Sequence, residues 1–195
     1  MKWLILLVLF CLSCISDIRT NTLIHPDGIT YQTAKSLTFH ADTAFTQQER
    51  DILEISCSEI YKQSSGLLKL NIIYDLDFIS TNSLLYHTSD NLLMRAPSYA
   101  DYIKPDFLGF TVKNPNTGQI FIYIISERIK TPIAFQHVAM HEFLHGFGLH
   151  HVTSINSIMY PETLSNPPTC MTEDDAWELC GIYHCDYDTL NYCRL

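Results

Sequence analysis

With 195 residues, the chain has room for one ordinary domain that can bury its own core. Hydrophobic residues make up 47% and charged residues 17%, a composition that excludes a disordered chain. A formal net charge of −9 argues against nucleic acid or an anionic membrane surface as a partner, and beyond the N-terminus no run is apolar enough to cross a bilayer.

Met1-Lys2 followed by the apolar run Trp3 to Leu12 reads as an export signal over residues 1–16. Ser13-Cys14 is similar to a bacterial lipobox, which would tie the chain to a membrane through a lipid on Cys14. Cys11 and Leu12 depart from that pattern, and plain cleavage after Ser16 is the competing reading. Residues 17–34 form a polar N-terminal segment with a turn at Pro26-Asp27-Gly28, where proline fixes φ and glycine accepts a positive one. Residues 35–195 are the expected folded domain, ending in a cysteine-rich tail.

Ser36 to Ala41 reads as a first strand. Thr46-Gln47-Gln48-Glu49 is a capping box that opens a helix to about Ser64, with Leu53, Cys57, Ile60 and Tyr61 as its inward stripe. Leu67 to Tyr74 alternates apolar and polar residues, as a half-buried strand does. Asp75 to Lys104 is polar and reads as loop with at most one short strand. Its aspartates, together with Asp106, read as solvated carboxylates, and no second metal, Ca²⁺ or Zn²⁺, is assigned to them. Leu108 to Lys113 and Gln119 to Ile125 are strands joined by the turn Asn114-Pro115-Asn116-Thr117-Gly118, and the nearly all-apolar second strand belongs inside a sheet.

Thr131-Pro132 then starts a helix, with threonine as N-cap and proline at the first position. That helix carries the run His141-Glu142-Phe143-Leu144-His145-Gly146-Phe147-Gly148-Leu149-His150-His151, which reads H-E-x-x-H-x-x-G-x-x-H. His141 and His145 share one helix face, one turn apart, and can grip a divalent cation, for which Zn²⁺ is the usual occupant. Gly148 lets the backbone leave the helix so that His151 returns as a third ligand. Three histidines leave the fourth position to water, whose pKa zinc lowers to roughly 7. Glu142, beside the first ligand, can take that water's proton without binding the metal. His137 lies one turn before His141 and reads as packed or solvated, and the spacing after Gly148 favours His151 over His150. Thr172-Glu173-Asp174-Asp175 caps a last helix to about Tyr183.

Beyond the export signal lie Cys57, Cys170, Cys180, Cys185 and Cys193. Cys57 falls on an apolar helix stripe and reads as a buried thiol. The other four fit two disulfides in an oxidising compartment, with all three pairings open. A second zinc site built from Cys180, Cys185 and His184 is the rival reading of that tail.

The extended histidine motif, with Met159 eight positions after His151 in Ser157-Ile158-Met159-Tyr160-Pro161, resembles the metzincin metalloproteases, closest to the matrixin branch. "TEDDAWELCGIY" is similar to the last helix of matrixin catalytic domains. The resemblance runs from about Lys35 to Tyr183 and implies an α+β fold: a metzincin-type zincin with a twisted mixed β-sheet, an active-site helix and a Met-turn. It implies a zinc endopeptidase with one catalytic Zn²⁺ on His141, His145 and His151, Glu142 as general base and Met159 as an apolar floor. Its edge strand, here Gly109 to Val112, would take a protein or peptide substrate as an added extended strand. Two departures stand out. Pro161-Glu162-Thr163 lacks the tyrosine that usually lines the matrixin specificity pocket, and no matrixin-type cysteine motif precedes Lys35. Tyr160 does not match the zinc-binding tyrosine of astacins. The expected protein is an exported monomer. The rival functions are a zinc amidase acting on cell-wall peptides and a zinc-dependent binding protein without catalysis, against which an intact Glu142 speaks.

Overall fold

A computed structural model describes residues 34–77, 90–97, 107–162 and 164–193. The export signal, the lipid attachment at Cys14, the Asp27 turn, Asp101 and Asp106 lie outside the described residues. Strands β1 (Ser36–Asp42), β2 (Lys69–Leu76), β3 (Asn91–Arg95), β4 (Gly109–Lys113) and β5 (Ile120–Ile124) form one sheet in the order β2-β1-β3-β5-β4. β1 runs parallel to β2 and β3, and β3 parallel to β5. Among the described strands only β4 is antiparallel, and it stands at an edge. Among the described residues there are three α-helices: α1 (Gln47–Gln63), α2 (Pro132–Gly146) and α3 (Glu173–Tyr183).

Alternation along each strand decides which face meets the helices. Leu37, Phe39 and Ala41 of β1 and Ile120, Ile122 and Ile124 of β5 point into the main core shared with α1 and α2. Leu76, Leu92 and Met94 pack with Phe121 and Tyr123 on the other face. α2 is buried along most of its length, from Phe135 to Gly146, as a helix apolar on nearly all sides must be. Its last turn rests on the sheet: a Cβ on Gly146 would sit 3.6 Å from both Leu37 and Phe39. Phe143 packs against Phe39 with ring centroids 5.8 Å apart.

The capping box at Thr46 is present, with Glu49 accepting from the Thr46 backbone N–H at 2.7 Å. Leu53, Cys57 and Ile60 are buried as expected, and burial pushes the Cys57 thiol up to about 12. Tyr61 departs from the expected stripe and is 52% exposed, because one step past Ile60 turns a side chain about 100° around the helix. Gln63 takes the inward position instead, and its amide oxygen accepts from Met171 N at 2.7 Å. The polar stretch after Asp75 does hold a short strand, and β3 sits inside the sheet with Leu92, Leu93 and Met94 all buried.

The tail pairs Cys170 with Cys193 and Cys180 with Cys185. Those bonds consume the thiols that the rival zinc site required. Backbone bonds from Asn191 N to Gln63 O and from Cys193 N to Met171 O, both 2.9 Å, lay the tail along the end of α1. Among the described residues no helix is long and apolar enough to cross a membrane.

Candidate metal centre

α2 begins as its residues predict, with the Thr131 side chain accepting from Ala134 N at 3.2 Å and Pro132 in the first turn. Near its other end His141 and His145 face the same way, their Nε2 atoms 3.0 Å apart. The chain leaves the helix at Gly148, whose φ of +95° is one that side chains rarely adopt. Leu149 N returns to Leu144 O at 3.0 Å, and the next residues diverge. His150 turns outward, with its backbone N–H and ring Nδ1 bonded to Glu178 Oε1 at 2.7 and 2.9 Å. His151 turns inward, and its Nε2 lies 3.2 Å from that of His141 and 3.1 Å from that of His145. The three expected ligands therefore meet at one point, and among the described residues no other trio of metal-binding side chains does so.

The ring tautomers follow from the partners. His141 Nδ1 donates to Ile158 O at 2.8 Å and His145 Nδ1 to Leu149 O at 2.7 Å. A carbonyl can only accept, so both protons sit on Nδ1 and both Nε2 atoms present lone pairs to the centre. Lone pairs aimed at one another repel unless a cation lies among them. A tetrahedral site with metal–nitrogen distances of about 2.0 Å separates its donors by about 3.3 Å. The observed spacings fit such a centre. Burial, reinforced by the neighbouring imidazoles, holds His141 well below the ordinary histidine range and lowers His145 to about 3. His151 is lowered too, mainly by burial. All three are thus neutral near pH 7 and free to bind a metal.

His141 is buried, His145 half-buried and His151 exposed, so the cluster faces solvent on one side. His137 lies outside it: the ring is buried and donates from Nδ1 to Pro168 O at 2.6 Å. Ser157 to Tyr160 form a 1,4-turn, with Tyr160 N donating to Ser157 O at 3.2 Å and Met159 fully buried. Ile158 O, inside this turn, is the acceptor that fixes His141.

Glu142 is buried, and burial pushes its carboxyl up to about 8, against the opposing pull of a hydrogen bond from Thr111. A cation beside it would draw the value back down. Three further residues build the site without standing in the motif. Thr111 contacts Glu142, and Glu178 holds the loop behind His151. Asp175 accepts from Ser157 Oγ, from Ile158 N at 3.2 Å, from Met159 N at 3.4 Å and from Thr172 N at 2.7 Å. Asp175 was visible in the sequence as a helix cap, though not as the anchor of the methionine turn. Nothing local to the sequence marks Thr111 or Glu178.

Two imidazoles on a helix and a third returned by a glycine turn make a group that could hold a metal ion, with the Glu142 carboxylate next to the first of them in the chain. The Matrixin family model matches residues 14–184, and the chain belongs to this zinc-dependent peptidase family. Its mixed sheet, central helix and methionine turn are the α+β metzincin architecture expected of a matrixin. No curated protein matches the chain by sequence. Among solved structures it is similar to metalloproteinase-II from Bacteroides fragilis, with 13% identity, a TM-score of 0.47, and 80% of this chain covering 55% of that one. It is also similar to a zinc-dependent peptidase from Methanocorpusculum labreanum, with 13% identity, a TM-score of 0.45, and 73% of this chain covering 99% of that one. The chain thus spans about half the length of the first of these structures.

Proposed function

We infer that this matrixin is an exported zinc endopeptidase, with His141, His145 and His151 holding the metal and Glu142 acting as general base. The observation that carries the reading is the convergence of three Nε2 atoms within 3.2 Å of one another, with Glu142 adjacent to the first of them in the chain. When bound, zinc supplies Lewis acidity, which makes water a nucleophile at neutral pH and polarises a carbonyl. Glu142 takes a proton from the attacking water and passes it to the leaving amine, a role open to a carboxylate once a cation beside it has drawn its pKa back down. Ile158 O and Leu149 O keep the two helix imidazoles in the metal-binding tautomer throughout.

Cleavage inside a chain is favoured by β4. Among the described residues it pairs with β5 on one side only, so Gly109 to Val112 can receive an extended peptide along the other edge, with no requirement for a terminus. Export is favoured by the apolar run from Trp3 to Leu12 and by two disulfides, which persist in oxidising compartments.

Zinc-loaded wild type and Glu142→Ala, compared on casein and on peptidoglycan, test the reading. Wild type is expected to digest casein and leave peptidoglycan intact, with Glu142→Ala slower by about 10²- to 10⁴-fold. Casein left whole by the zinc-loaded wild type would overturn it.

A further inference from the structure

One strand, β4, meets the Glu142 side chain at two positions. β4 alternates, so Gly109 and Thr111 face α2 while Phe110 turns to the opposite side and stacks on Tyr123 with centroids 4.5 Å apart. The Thr111 hydroxyl donates to Glu142 Oε2 at 2.7 Å, with the Glu142 backbone carbonyl also within reach at 3.1 Å. Gly109 leaves room on the other side. A Cβ there would lie 3.0 Å from Glu142 Cγ, from Glu142 Oε1 and from Val138 Cγ1, so an added methyl would make one of those side chains give by a few tenths of an ångström. Oε1 takes no hydrogen bond from any described residue, whereas Oε2 is tied.

We propose that Thr111 and Gly109 are positioning residues that hold the Glu142 carboxylate in one rotamer, Thr111 by fixing Oε2 and Gly109 by leaving the space that Oε1 occupies, with the untied Oε1 as the oxygen that exchanges protons. This rests on Glu142 acting as the general base. The consequence is that one short strand does two jobs. The open edge of β4 is the surface on which an extended peptide would add, and its inward face sets the base. A peptide seated on the strand is therefore registered against the same backbone that registers the carboxylate, without an intervening loop. A free glutamate side chain samples several rotamers, and holding it in one is worth most when the proton must move at a fixed point along the reaction.

The test pairs kinetics with crystallography on the zinc-loaded full chain. T111V is expected to lower kcat by about tenfold, with KM within about twofold and zinc content unchanged, since it removes one hydrogen bond to a charged group. T111S keeps the hydroxyl and is expected to restore kcat to within about twofold of wild type. G109A pushes from the opposite side and is expected to match the loss in T111V. Crystal structures should show Glu142 rotated or split between rotamers in T111V and G109A, and in its wild-type place in T111S. A T111V enzyme with wild-type kcat, or with Glu142 unmoved, overturns the proposal. If T111V does not fold, T111A gives the same comparison. A wild type that cuts no peptide overturns the general-base reading instead, and the position of Glu142 in the variant structures still decides whether the strand holds it.

Discussion

The candidate metal centre has two unlike halves. His141 and His145 project from a buried helix, and each has its Nδ1 proton taken by a named backbone carbonyl. His151 sits on an exposed loop, and among the described residues no hydrogen bond reaches its Nδ1. That loop is held from behind, by Glu178 on the His150 backbone and by Val152 N on Met159 O at 3.1 Å. The helix half is thus fixed by its own ring acceptors, while the loop half is placed by its neighbours. Preformed ligands on a rigid element set the geometry, and a single adaptable ligand on the solvent side closes it.

The widest effect should come from the point where both halves meet. Asp175 is fully buried and accepts from the turn that holds His141 and from the start of α3. Asp175→Ala leaves several buried donors without a partner and should cost about 3 kcal/mol in denaturant unfolding, with zinc affinity falling alongside. Equal stability to wild type would mean that water replaces the carboxylate and the turn stands by itself.

A smaller effect separates the halves directly. Both His141→Ala and His151→Ala should abolish activity. In metal-free protein, however, His141→Ala should cost about 2 kcal/mol, because it opens buried space and strands Ile158 O. His151→Ala, at an exposed site, should cost less than about 0.5 kcal/mol. Chelator-treated samples in urea give both numbers, and similar costs would erase the distinction.

The smallest effect concerns the loop support. Bonding to Glu178 raises His150 above its ordinary value of 6.5. A raised folded-state pKa contributes stability that is fully present below the unfolded value and is lost as pH rises through the folded one. Glu178→Gln should flatten that pH dependence on the alkaline side of 6.5 while leaving the helix ligands in place. Unfolding curves at stepped pH check this, and an unchanged slope in the variant would mean that the pair adds nothing to stability.

What the sequence made legible follows the same division. His141, His145, His151 and Glu142 come from one short run, so spacing on a helix and one glycine turn suffice to assemble them. The caps at Thr46 and Thr131 were equally readable, because capping is local chemistry. Thr111 was not, since its contact with Glu142 spans 31 positions and exists only once the sheet lies on α2. β3 was obscured by the polar residues around it, and its central place depends on pairing with β1 and β5. Tyr61 failed as a core residue because a stripe one residue too wide cannot be told from the right one by hydrophobicity alone. The four tail cysteines allow three pairings, and only the path of the tail past α1 selects one.

Met159 gives the methionine turn a use as a reporter. Its thioether is wholly shut away from solvent, so peroxide has no route to the sulfur while the turn stays closed. The rate at which that one methionine gains an oxygen, followed by peptide mass, becomes a clock for how often the floor of the centre swings open.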